Sequence, residues 1–312
     1  MNTVLTRSPD EAAEYIKRGG IVAFPTETVY GLGANVFDED AVAKIFKAKQ
    51  RPADNPLIAH IARVEQITEL AAELTEAAGK LIEAFFPGPL TVVVKKKDKV
   101  PLIATAGLDT IGIRMPGSEL AHHFLTASGT PVVAPSANLS GRPSPTTWQA
   151  VLEDMDGRID CILQGDATQI GIESTVVDCT GDDPVILRSG AITIQQIRSI
   201  VPAAHLIETL PEQPRSPGLK HRHYSPRANV ELVTDRERIA AGDKSAYIGL
   251  RSVSGLFALV RICTDLDEYA SALYEFFRAC DRRGIETIYC EPVAEDGIGV
   301  ALMDRIRRSA AG

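Results

Sequence analysis

Polar clusters placed just after short apolar runs have the residue types needed to handle a small anionic ligand. One is Pro25-Thr26-Glu27-Thr28-Val29-Tyr30-Gly31-Leu32-Gly33. Hydroxyls and two close glycines at a strand end let backbone N–H groups and side-chain oxygens approach a polar ligand; the same composition also makes a plain turn. A second follows the helical spacing of Val42, Ile45 and Phe46 and contains Lys47, Lys49 and Arg51, then Pro52, Asn55 and Pro56. Cations at a helix C-terminus suit the macrodipole in a solvated end. They equally suit a phosphate clamp, with lysine as point charge, arginine as planar fork and the prolines for stiffness. Arg114 closes the otherwise apolar run Thr110-Ile111-Gly112-Ile113. A guanidinium there needs an anion, either a structural carboxylate or a ligand. The segment 134–144 supplies Ser136, Asn138, Ser140 and Ser144 after another strand, as a ligand loop or a polar turn. Glu173-Ser174-Thr175 and Leu187-Arg188-Ser189-Gly190 are the remaining clusters.

Several familiar devices are missing from the sequence: the P-loop, the dinucleotide glycine motif, the nucleophile elbow and the zinc-protease helix. His221 and His223 share a face of an extended chain, but no carboxylate or cysteine is near them, so metal ligation is not expected. Tyr224 lies among basic residues, where an aromatic ring stacks on a base or pins the linker.

The elements that must position these groups alternate along the chain. Strands are expected over 21–24, 57–61, 90–94, 131–134, 161–163, 175–177 and 185–187, all brief and rich in β-branched residues. Helical spacing recurs at Leu81, Ile82 and Phe85. Ser118 can cap a helix bearing Leu120, Phe124 and Leu125, and Thr193 one bearing Ile197 and Ile200. The stretch 206–228 holds Pro211, Pro214, Pro217 and Pro226, with Arg215, Lys220, Arg222 and Arg227 among them; it reads as a basic, semi-rigid connector. Beyond it, strands over 230–233, 246–250, 257–260 and 287–290 and helices over 266–280 and 300–308 make a small α/β unit. The expected division is therefore 1–205, 206–228 and 229–312.

The 312 residues carry a formal charge of −8, and 45% of them are hydrophobic. That is globular composition, and the acidic balance argues against a protein that works through non-specific nucleic-acid affinity. Five cysteines form no C-x-x-C pair, which points to a reducing compartment. No signal peptide and no apolar run of membrane-spanning length is seen, so a soluble, cytoplasmic protein without membrane contact is expected.

Taken together, the 25–33 segment, Lys49-Gln50-Arg51 with Pro52, Asn55 and Pro56, Ser136-Ala137-Asn138 and Glu173-Ser174-Thr175 resemble the YrdC-type threonylcarbamoyl-AMP synthases. The connector 216–226 and the extra unit resemble the long form of that family. The resemblance implies an α/β fold: a twisted mixed sheet over a large concave cavity, followed by a small Rossmann-like α/β C-terminal domain. It implies that L-threonine, bicarbonate and ATP are converted to threonylcarbamoyl-AMP and pyrophosphate. This is the first step toward N6-threonylcarbamoyladenosine in tRNA, and other proteins transfer the group to tRNA. Lys49, Arg51 and Arg114 would carry catalysis. Thr28, His60, Arg114, Ala134 and Ser174 would contact threonine or its carbamate. Lys49, Arg51, Asn55, Thr110, Ser136, Asn138, Ser144, Arg188 and Tyr224 would contact ATP, with Tyr224 closing over the nucleotide from the connector. Mg²⁺ is expected to be held through phosphates rather than protein side chains, and a weak tRNA contact is compatible with the set. Two other readings are an RNA-binding module that uses a basic cavity without catalysis, and a carbamoyltransferase relative with another acceptor.

Overall fold

The computed structural model describes residues 2–207, 224–233 and 239–311. Eleven strands form one mixed sheet: β1 (Val4–Thr6), β2 (Val22–Phe24), β3 (Gly31–Asn35), β4 (Ile58–His60), β5 (Leu90–Lys95), β6 (Thr110–Arg114), β7 (Val132–Ala134), β8 (Cys161–Leu163), β9 (Thr175–Asp178), β10 (Val185–Arg188) and β11 (His205–Leu206). Their spatial order is β1-β8-β2-β3-β7-β4-β6-β5-β9-β10-β11. A second sheet contains β12 (Asn229–Leu232), β13 (Ser245–Gly249), β14 (Leu259–Ile262) and β15 (Thr287–Cys290), all parallel, in the order β12-β15-β13-β14.

Strand alternation explains the two faces of the large sheet. Ala59, Ile111, Ile113 and Val133 point into the main core, against the helices Glu39–Lys49 and Glu76–Phe85 through Val42, Ile45, Leu81 and Ile82. Val22, Phe24 and Val132 point the other way and are covered by the helices Pro9–Lys17 and Glu119–Ser128. Further across that second face, the alternate positions Ile58, His60, Arg114 and Ala134 line a concavity. Core and cavity are thus built from opposite phases of the same short strands.

The expected strands and helices recur in place, with β14 two residues later than the 257–260 reading. The 25–33 segment is not a simple turn. Its second half enters β3, which pairs antiparallel with β2. Gly33 is required there by close packing: a Cβ would stand 2.6 Å from Val132 Cγ1. The helices Pro9–Lys17 and Trp148–Met155 are additional, capped by Ser8 and Thr147 through hydrogen bonds from Glu11 N and Ala150 N.

The smaller sheet buries Val230, Ala246, Ile248 and Ile288 beneath the helices Leu266–Arg282 and Gly299–Ala310. The first of these helices also packs on the larger unit, where Gly171 approaches Ser271 so closely that a Cβ would lie 2.4 Å from its Cα. Most of the expected connector, including His221, Arg222 and His223, lies outside the described residues.

Candidate active site

The concavity is lined by Thr28, Val29, Lys49, Arg51, His60, Arg114, Ala134, Ser136, Asn138, Glu173, Ser174, Arg188 and Tyr224, among others. It encloses about 710 Å³, counting its open mouth. Eleven of the fourteen residues singled out from sequence therefore share one hollow, although they span 28 to 224 in the chain. Asn55, Thr110 and Ser144 are not in the lining. Asn55 is buried behind Arg51, and its carbonyl accepts from Arg51 Nη2 at 3.1 Å. Ser144 donates to Glu173 Oε1 at 2.6 Å from the next layer. Thr110 occupies the same face of β6 as Arg114 but about 13 Å further along the strand.

The helix Glu39–Lys49 presents its C-terminal end to the hollow. It stops because Gln50 takes a left-handed conformation, φ 53°. That reversal brings Lys49 and Arg51 to the same cavity, whereas a continued helix would send them to different faces. Both are at least nine-tenths buried, which excludes the solvated-end reading. Lys49 Nζ donates to the carbonyls of Ser136 and Asn138 at 2.6 and 2.7 Å. Burial, reinforced by Arg51, holds its ammonium well below the usual lysine range. Burial likewise brings Arg51 down to about 10. Arg51 Nε and Asn55 Nδ2 are buried donors without a hydrogen-bond partner among the described residues. Arg188 reaches in from the far wall, donating from Nε to Ser174 O at 3.0 Å and from Nη2 to Ser174 Oγ at 3.2 Å. Burial lowers its pKa also.

The floor belongs to Arg114. Its Nη1 donates to Thr28 Oγ1 at 2.8 Å and its Nε to Gly88 O at 3.2 Å, while Nη2 lies 2.6 Å from Glu27 Oε1. The carboxylate partner left open by the sequence is thus Glu27, and Arg114 still faces the hollow. His60 stacks edge-on against Phe24 at 5.8 Å and donates from Nδ1 to Ile58 O at 3.1 Å. Burial first, then Arg114, pushes its pKa down to about 3, so the ring is neutral at pH 7.

Sequence reasoning gave no role to Glu173, Tyr274, Arg278 or Arg305. Glu173 lines the hollow, and its Oε2 accepts from Tyr274 Oη at 3.1 Å and Arg305 Nε at 2.9 Å. Burial alone would raise its pKa, but Arg305, Arg188 and the Ser144 hydrogen bond bring it below the ordinary carboxylate value. A charged residue at helical spacing with aromatic neighbours was the only signal for Arg278, and it reads equally as a solvent-facing position.

Fold and site together define a YrdC-type sheet with a cavity lined by buried cationic side chains, joined to a parallel α/β C-terminal domain. The family model described as "Telomere recombination", which groups Sua5, YciO and YrdC, matches residues 14–190. The model described as "Threonylcarbamoyl-AMP synthase, C-terminal domain" matches residues 192–311. The chain is 43% identical to the threonylcarbamoyl-AMP synthase of Pyrococcus abyssi, covering 96% of this chain and 93% of that protein. It is 41% identical to that of Bacillus subtilis, covering 97% and 92%. The crystal structure of P. abyssi Sua5 complexed with L-threonine superposes with a TM-score of 0.91 at 42% identity, over 99% of this chain and 97% of that one. The chain belongs to the threonylcarbamoyl-AMP synthase family.

Proposed function

We infer that the chain makes threonylcarbamoyl-AMP from L-threonine, bicarbonate or CO2, and ATP, releasing pyrophosphate, as a nucleotidyltransferase. The observation that carries the reading is the convergence of Lys49, Arg51, Arg114 and Arg188 in one buried hollow. Glu27 and Glu173 offset part of this gathered positive charge, and an anionic ligand would offset the rest. A triphosphate supplies several negative charges and a carbamate another.

The chemistry requires no enzyme nucleophile. Threonine's amine captures CO2 and loses a proton to give a carbamate. A carbamate oxygen then attacks the α-phosphorus, and the bond to the β-phosphate oxygen breaks with departure of pyrophosphate. Two anions must approach each other, so the protein's work is positioning and charge stabilisation. Arg114, with Thr28, His60, Ala134 and Ser174 around it, is assigned the threonine and carbamate end. Lys49, Arg51 and Arg188, with Ser136, Asn138 and Tyr224, are assigned the nucleotide end, Arg51 Nε donating to phosphate, and Asn55 serves that end through its hydrogen bond to Arg51. For Ser144 the geometry supports an indirect part, by orienting Glu173, whereas Thr110 lies outside the lining and is assigned no contact with ATP. Neutral His60 suits a place beside Arg114, because it adds no further positive charge.

Mg²⁺ is proposed to enter with ATP. It would supply screening across the phosphate oxygens, which it prefers together with water. The nearby carboxylates are already engaged, Glu27 by Arg114 and Glu173 by Arg305, so phosphate oxygens fit as its ligands better than these side chains do. Proteins that transfer the group to tRNA would take the product, and a weak tRNA contact belongs to the same proposal. All five cysteines are free and buried, which supports a reducing, cytoplasmic location. Among the described residues no helix is long and apolar enough to cross a membrane.

The test is pyrophosphate release under defined conditions. Release is expected to require threonine and bicarbonate together and to fall to background when either is left out. Equal release without threonine would overturn the assignment.

A further inference from the structure

We propose that Arg305 and Arg278 of the C-terminal domain are positioning residues for the nucleotide end of the cavity, acting through Tyr224, Glu173 and the 136–144 loop. The proposal rests on reading this hollow as a nucleotide site, and it gives the C-terminal domain a part in ATP binding.

The two guanidiniums sit on different helices and reach different walls. Arg305, on the helix Gly299–Ala310, is fully buried. Its Nε pairs with Glu173 Oε2 at 2.9 Å, and its Nη2 donates to Ser189 O at 3.0 Å, next to Arg188. Its Cζ lies 5.4 Å from the centroid of the Tyr224 ring. The Tyr274 ring is stacked on the Tyr224 ring, with centroids 5.5 Å apart and an interplanar angle of 23°. Ser309, one turn beyond Arg305, donates to Tyr224 O at 3.0 Å. Tyr224 itself has φ +69°, a left-handed backbone that a non-glycine residue holds only where its surroundings impose it. The helices thus fix both the backbone and the ring of Tyr224, which among the described residues is the one beyond β11 that lines the cavity.

Arg278, on the helix Leu266–Arg282, grips the other wall. Its Nη2 donates to Pro143 O at 2.5 Å and to Asp154 Oδ2 at 2.9 Å. Asp154 Oδ2 also accepts from Leu139 N at 3.2 Å, and Asn138 Nδ2 donates to Arg142 O at 2.8 Å. A charge-assisted chain therefore runs from Arg278 to the loop whose Ser136 and Asn138 carbonyls hold Lys49 Nζ. Salt bridges of this burial fix geometry more than they add stability. Neither arginine lines the cavity, so both act on ATP only through the groups they hold.

Isothermal titration with ATP and, separately, with threonine tests the proposal. The variants are Arg305→Lys, Arg278→Lys, Tyr224→Ala and the double variant Arg305→Lys/Tyr224→Ala, each checked by thermal melting. Arg305→Lys is expected to weaken ATP binding about tenfold and threonine binding less than about twofold, the size of one misplaced charge-assisted contact. Arg278→Lys should act in the same direction. The double variant should be little weaker than Tyr224→Ala alone, because much of the Arg305 effect passes through that ring. Parental ATP affinity in a folded Arg305→Lys protein overturns the proposal. So does an equal loss of threonine affinity, or a multiplied loss in the double variant. If Arg305→Lys fails to fold, Tyr274→Phe, which removes only the hydroxyl donated to Glu173, decides in its place: weaker ATP binding supports the buttress and unchanged binding overturns it. Binding is read without turnover, so a parent that binds ATP but releases no pyrophosphate counts against the proposed reaction and not against the buttress.

Discussion

His60 shows how one buried side chain sets a property of the whole chain. Its ring is neutral in the fold because burial, then Arg114, depress its pKa from 6.5 to about 3. Above pH 6.5 folded and unfolded states bind the same number of protons at this site, and its contribution is fully present. As pH falls below 6.5 the unfolded state takes up a proton that the folded state refuses until near pH 3. Stability then falls by up to about 1.4 kcal/mol per pH unit. Urea unfolding at pH 6.5 and at pH 5 should show the parent losing about 2 kcal/mol more than His60→Gln across that interval. Equal losses in the two proteins would contradict the buried neutral ring. Glu173 acts in the same direction but in a more acidic window, its pKa being depressed below the ordinary 4.5.

At the scale of elements, close backbone approach decides where glycine must stand. Gly190 follows β10, and a Cβ there would lie 2.4 Å from Thr175 N and 2.7 Å from Glu173 O. Gly190→Ala should therefore push β9 and the Ser174 wall apart, costing roughly 1–3 kcal/mol in urea unfolding and weakening ATP binding with it. A variant of parental stability and affinity would show that the wall yields freely. The same elements explain what the sequence disclosed. Lys49, Arg51, Ser136 and Asn138 each also suit a helix end or a turn, and they stand out because several such clusters follow one another after short apolar runs. The core phase was readable as β-branched runs, such as 90–94. β3 was obscured because its glycines, needed for packing against Phe24 and Val132, look like turn residues. Tyr274, Arg278 and Arg305 were not legible as site residues. Partner carboxylates lie more than a hundred positions away, at Asp154 and Glu173, and no local spacing records that pairing.

For the molecule as a whole, the C-terminal domain is joined to the larger sheet by buried polar contacts as well as by the chain. Arg278 with Asp154, Arg305 and Tyr274 with Glu173, and Ser225 N with Gly141 O at 3.0 Å all cross between the two units. Separating the units would break these contacts and open the surface they cover to water. Calorimetry is therefore expected to show one cooperative unfolding transition; two well-separated transitions would mean that the contacts do not couple the units. The same architecture accounts for an acidic protein that handles anions. A net charge of −8 is spread over the chain, while Lys49, Arg51, Arg114 and Arg188 are gathered inside one hollow.

The central claim is that these cations bring a carbamate to the α-phosphorus of ATP. The most direct measurement is mass spectrometry of the products after mixing the protein with ATP, Mg²⁺, threonine and ¹³C-bicarbonate. A threonylcarbamoyl-AMP bearing a single ¹³C, formed in step with pyrophosphate, is the predicted result. Pyrophosphate accompanied only by free AMP and unmodified threonine, from the first turnovers onward, would contradict it.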